Sequence, residues 1–221
     1  MLRSSNNTLF DFVVMLIIAC TSLPVHEAAH AYVASKLGDN TARYQGRLTL
    51  NPLVHLDPIG TLMLLFVGVG WARPVPINPL NFKNPKAGMA LSSLAGPVSN
   101  VLLALVLMIV YKVMLMMGLL STSVVGGAAF AIFSILGIMI SVNTYLAVFN
   151  MLPIPPLDGS RLLTYFLPSK YYFGIMQYER FIMLGLLVLI YTGVLRGPMS
   201  FISNWIIGFL DLITFFLGRI F

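Results

Sequence analysis

The sequence predicts an all-α polytopic membrane protein built as a single domain over residues 1–221, with about five to six membrane helices. Two observations carry that expectation. Of the 221 residues 58% are hydrophobic and only 9% charged, where soluble domains carry about 25% charged residues. The apolar residues also gather into stretches long enough to cross about 30 Å of hydrocarbon as helices. The net charge of +6 reads as loop charge facing an anionic lipid surface, so the lipid bilayer is the expected partner and nucleic acid is not. Cys20 is the only cysteine and falls inside the first span, which leaves disulfides no part.

The first span runs from Leu9 to Leu37 after a short polar lead, Met1 to Thr8. No small-residue cleavage site precedes Pro24, so the stretch reads as a retained span and not as a leader. Within it stands His26-Glu27-Ala28-Ala29-His30. An ionisable side chain inside hydrocarbon costs roughly 2.5–3.5 kcal/mol on insertion scales, and three in five residues require a partner. Positions i and i+4 share one helix face, so His26 and His30 can grip one cation, with Glu27 beside it as a general base toward a metal-activated water. Zinc suits such nitrogen ligands and keeps an open position in catalytic sites.

Arg43 to Leu50 alternates polar and apolar residues, the period of a small β-strand or hairpin segment near residues 43–50. An exposed strand edge could pair with an extended peptide, although an interfacial hairpin without any substrate role fits equally well. His55 follows across a loop and reads as structural, supporting the site from outside the ligand set. Asp57-Pro58 starts a helix, and the apolar segment Ile59 to Gly70 is short for a span. Charge decides how it runs. Suppose it does not cross, while Leu9–Leu37, Gly88–Met117, Val124–Asn150, Phe181–Leu195 and Phe201–Leu217 do. All 13 Lys and Arg except Arg3, Lys112 and Arg196 then fall on one side, which is the cytoplasmic one. A crossing at 59–70 would largely erase that bias, so this segment is expected to be a re-entrant or half-membrane helix. Trp71 to Lys86 is a Pro- and Asn-rich loop. Asn100 in the third apolar segment and Asn143 in the next are candidates for substrate contact, with hydrogen bonding between helices equally open.

Asn150-Met151-Leu152-Pro153-Ile154-Pro155-Pro156-Leu157-Asp158-Gly159 breaks the fourth apolar segment with three prolines. Membranes tolerate such free carbonyls only where the backbone is buried or lines a wet cavity. Asp158 is thereby an acid at membrane depth, at the end of the span that brings it level with His26 and His30. It can supply the third ligand that a zinc site needs.

With both motifs in hand, the chain resembles the site-2 proteases, the zinc intramembrane metalloproteases. HEAAH in a first span and NMLPIPPLDG ending a later one carry the likeness. GWARPVPINPLNFKNP followed by LAGPVSN is similar to the compact prokaryotic branch without a PDZ domain. The resemblance implies one Zn2+ held by His26, His30 and Asp158, Glu27 as general base, and Asn150 as a contact to the scissile peptide. It also implies a transmembrane protein as substrate, and a multi-pass enzyme of the cell membrane with its active site toward the cytoplasm. Two other functions remain compatible with the residues alone. A metal-ion transporter would spread its ligands through the membrane depth, and an inactive scaffold would bind membrane segments without cutting them.

Overall fold

The computed structural model describes residues 8–67, 70–118, 126–166 and 174–216, and among these every regular element is helical. The helices are α1 (Thr8–Lys36), α2 (Thr41–Tyr44), α3 (Pro52–His55), α4 (Pro58–Val67), α5 (Pro85–Met116), α6 (Gly126–Asn150), α7 (Asp158–Phe166), α8 (Glu179–Thr192) and α9 (Arg196–Ile213). Three of them, α1, α5 and α6, are long and apolar enough to cross a membrane.

The α5 helix stands between α1 and α6 and packs on both. It starts cleanly, because Asn84 accepts the Ala87 N–H and Pro85 occupies the first turn, where its missing N–H is harmless. Its buried face begins with Gly88, Ala90, Ser92, Ser93 and Gly96, residues small enough to let a neighbouring backbone approach. Further along, Ala104 and Met108 meet Ile140 of α6 and Leu210 of α9, while Val14 and Ile18 of α1 meet Met139 of α6. Polar side chains in this interior bond across helices: Asn143 donates to Ser22 Oγ at 3.0 Å, and Thr144 and Ser203 pair at 2.8 Å. Such bonds contribute only about 0.6–2 kcal/mol each, so close packing of small residues carries most of the association.

The short segment after α3 forms one short helix. With ten residues, α4 is about 15 Å long, half the hydrocarbon thickness. The chain after it comes back to where it began: Leu56 bridges Ala72, Arg73 N–H donates to the His55 carbonyl at 2.7 Å, and a Cβ on Gly70 would lie 2.2 Å from the Gly60 carbonyl oxygen.

Two expectations are corrected. No strand forms over 43–50: residues 41–44 make a helical turn begun by Asp39, which accepts both the Thr41 N–H and its hydroxyl. Gly46, with φ at +67°, then turns the chain. The period-2 pattern misled because Arg47 points inward, to the Arg73 and Pro74 carbonyls of a proline-rich loop that has few N–H groups to offer a strand. The last two crossings also differ. At 14 residues α8 is about 21 Å long, and it meets α9 at 81° around Gly193, whose left-handed φ of +74° ends the helix. This bent pair counts as at most one span, giving up to four in place of five. The end of α9 reaches the far end of α5, where Lys112 and Asp211 pair at 2.7 Å. Arg3, Lys170 and Arg219 of the charge count lie outside the described residues.

Candidate metal centre

His26 and His30 sit one turn apart on α1 and are 7% and 5% exposed. Their Nε2 atoms stand 3.1 Å apart. Asp158, in the first turn of α7, puts Oδ2 3.0 Å from His26 Nε2 and 3.2 Å from His30 Nε2. Three donor atoms from two distant stretches of the chain therefore form a nearly equilateral triangle. In a tetrahedral zinc site, with donors about 2.0–2.2 Å from the ion, the donors stand about 3.3–3.6 Å apart. The triangle is only slightly tighter than that.

Hydrogen bonding points the same way. His30 Nδ1 faces the Ser92 carbonyl at 2.7 Å and must donate to it, so Nε2 of the neutral ring carries the lone pair. A metal held at Nε2 would use that lone pair, with the Asp158 carboxylate beside it as a further ligand. Among the described residues these three form the one group able to hold a metal.

Local sequence explains the placement. The α1 helix continues unbroken through Pro24, which keeps the two histidines in register. After Asn150 the prolines break α6, and the chain turns back so tightly that a Cβ on Gly159 would lie 2.3 Å from the Met151 carbonyl oxygen. Only glycine fits there, and its neighbour Asp158 is held at the histidines. Gly96 of α5 closes the opposite side, since a Cβ on it would lie 2.4 Å from His30 Nε2 and 2.6 Å from His26 Nε2. Gly96→Ala is expected to favour the helix locally by about 1 kcal/mol. It should nonetheless tilt the imidazoles and weaken zinc binding about tenfold, as other changes to ligand orientation do. Chelator competition on the purified variant reads this directly, and an unchanged affinity with intact thermal stability would refute it.

The other sequence-derived candidates fall in different places. Glu27 is half-buried and accepts the Val75 N–H through Oε2 at 3.0 Å. Asn150 is half-buried, with its amide donating to the Leu146 carbonyl at 3.0 Å. Asn143 is fully buried against Ser22, and Asn100 is fully buried in α5. His55 lies outside the triangle, its Nε2 within 2.8 Å of the Thr49 carbonyl.

Sequence reasoning missed what holds the loop over Glu27. Asp39 accepts the Asn78 N–H at 2.7 Å and the Asn81 amide at 2.8 Å. Burial opposes the charge on Asp39, but bonds from Thr41, Asn81 and Asn78 outweigh it and hold the carboxyl below the usual carboxylate range. Arg47 grips the same loop nearer to Glu27. The signal was present in Gly38-Asp39-Asn40-Thr41, which reads as a cap beginning a new helical turn.

Comparison with known proteins agrees with this geometry. The family model described as peptidase family M50 matches residues 12–190. The chain belongs to peptidase family M50. That is the site-2 protease family which its motifs resemble. YwhC of Bacillus subtilis (strain 168) is 42% identical over 178 residues, covering 80% of each chain. Rip2 of Mycobacterium tuberculosis (strain ATCC 25618 / H37Rv) is 29% identical over 199 residues, 88% of this chain and 73% of Rip2. Each is named "Putative zinc metalloprotease". The protein named "Zinc metalloprotease MJ0392" of Methanocaldococcus jannaschii is 27% identical over 166 residues, 75% of this chain and 38% of that one. No solved structure matches the chain.

Proposed function

We propose that this M50 peptidase is an intramembrane zinc protease, cutting peptide bonds within or next to membrane-spanning segments of other proteins. The observation that carries the reading is the His26–His30–Asp158 triangle, both of whose histidines lie on a helix apolar enough to span a bilayer. His26 lies ten residues before the end of α1, about 15 Å along the helix, so the bond to be cut must reach membrane depth. Zinc is the cofactor, and when bound there it polarises the scissile carbonyl and lowers the pKa of a water to about 7.

The chain's own groups do the rest. Glu27 takes the proton from the attacking water and delivers it to the leaving amine, so that the products are a carboxylate and an amine. Asn150, at the broken end of α6, contacts the substrate backbone or the developing oxyanion. The bond from Asn143 to Ser22 supports a helix-to-helix role for Asn143, whereas the buried amide of Asn100 bonds to no neighbour among the described residues. A substrate helix already satisfies its backbone hydrogen bonds, so the bound segment must unwind locally before attack. The loop-charge bias supports an active site toward the cytoplasmic side.

The test uses purified protein in liposomes with a reporter carrying one membrane segment. Cleavage is expected with zinc bound, lost after chelation and restored by zinc. A segment containing Gly or Pro should be cut faster than an uninterrupted poly-Leu one. Cleavage indifferent to zinc removal, or confined to soluble peptides, would refute the reading.

A further inference from the structure

Among the described residues Arg47 is the one Lys or Arg that is buried, at 5% exposure, and no carboxylate pairs with it directly. It lies in the connection between α2 and α3. Its Nη1 donates to the Val54 carbonyl at 2.5 Å, and its Nη2 donates to the carbonyls of Arg73 and Pro74, the latter at 3.2 Å. Burial and the nearby Arg73 lower its pKa, while Glu27 pulls in the opposite direction. A buried cation serving only carbonyls is a costly choice for a fold that merely needs donors.

What the carbonyls belong to gives the reason. Pro74 and Pro76 have no N–H, so Val75 supplies the only backbone donor of residues 74–76, and it gives it to Glu27 Oε2. The Pro74 carbonyl and the Val75 N–H are opposite edges of one planar peptide unit. Gripping the oxygen therefore fixes the direction of the N–H. Arg47 holds one edge of that plane and Glu27 rests on the other. A guanidinium is suited to this because its donors form a rigid fork, which a lysine ammonium does not. Asp39 ties the far end of the loop at Asn78 and Asn81, so the plane cannot swing away as a unit.

We propose that Arg47 is a positioning residue for Glu27, acting through the Pro74–Val75 peptide unit. With Oε2 tied to Val75, the other carboxylate oxygen of Glu27 stays aimed at the water it deprotonates. The inference rests on the assignment of Glu27 as general base.

The experiment measures kcat, KM, zinc stoichiometry and amide hydrogen exchange on full-length, zinc-loaded protein. Arg47→Met, which keeps length and removes all donors, is expected to lower kcat about a hundredfold, the usual effect of a misplacement near 1 Å. KM should stay within about threefold and zinc content should not change. Arg47→Lys should recover about tenfold of the loss. Exchange over residues 72–78 should accelerate in Arg47→Met, with α1 unaffected. Val75→Pro removes the N–H and should reproduce the kcat loss. The double variant Arg47→Met/Val75→Pro should be no worse than the more affected single one.

Wild-type kcat in Arg47→Met, a loss that tracks lost zinc, or additive losses in the double variant would overturn the proposal. If Arg47→Met does not fold, normal kcat in Val75→Pro overturns it alone. An active Glu27→Gln enzyme would instead remove the general base itself, whereas an inactive one beside fully active Arg47→Met and Val75→Pro removes only the role of Arg47.

Discussion

Glu27→Gln is expected to lower kcat about a thousandfold while the protein keeps its zinc. General acid–base groups contribute about 10²–10⁴ in rate, and a thousandfold corresponds to about 4 kcal/mol of transition-state stabilisation. The substitution isolates proton transfer. Glutamine has the same length, and its amide oxygen can still accept the Val75 N–H that Glu27 accepts at 3.0 Å. Glu27 is not one of the three donors that meet in the triangle, so metal affinity should hold. What disappears is the capacity to take a proton from water and return it to the leaving amine. Rate, metal content and thermal stability measured on one preparation decide the outcome. Retained zinc with lost cleavage supports the protease, whereas metal flux that persists in the variant would favour a transporter. Binding of membrane segments without cleavage by either form would favour a scaffold.

The pairing of His26 with His30 was legible because it is written in short-range spacing. An i, i+4 pair of histidines needs no tertiary information to share a face, and the structure keeps them within 3.1 Å at Nε2. Asp158 was reachable because a carboxylate after three prolines at the end of a span needs a partner in lipid. The shortness of the segment after Pro58 was legible from its apolar length alone, and α4 is not among the helices long enough to cross.

The misreadings share a different cause: the deciding contacts are long-range. Polar alternation over 43–50 has the period of a strand, but Arg47 is directed by carbonyls at Val54, Arg73 and Pro74. Nothing within the segment announces them. Hydropathy over 181–217 likewise reports apolar length and is blind to a left-handed glycine, so one bent pair read as two crossings. Gly96 shows the same limit. Its spacing on α5 marks it as a small residue in a packed helix, while its contact with both imidazoles appears only when α1 is laid against it.

Asp158→Ala tests the assumption on which every other functional statement depends. Two roles compete for this residue. As a cap for α7 its carboxylate would do no more than favour the helix start, and removing it would cost about 1 kcal/mol of stability with zinc binding unaffected. As the third ligand its loss would leave two neutral imidazoles to hold a dication in a buried setting. Removing one partner from a buried charged cluster costs about 3–5 kcal/mol. In affinity that is about two to three and a half orders of magnitude. The geometry favours the second role, because Oδ2 lies within 3.2 Å of both Nε2 atoms, a position a simple cap has no reason to adopt. Zinc titration should therefore show the large shift, and cleavage should return in part at high zinc. Asp158→Asn, which keeps an oxygen but not the charge, should fall between alanine and the native enzyme. A variant that binds zinc as tightly as the native chain would reduce Asp158 to a helix cap and leave two histidines without a third partner.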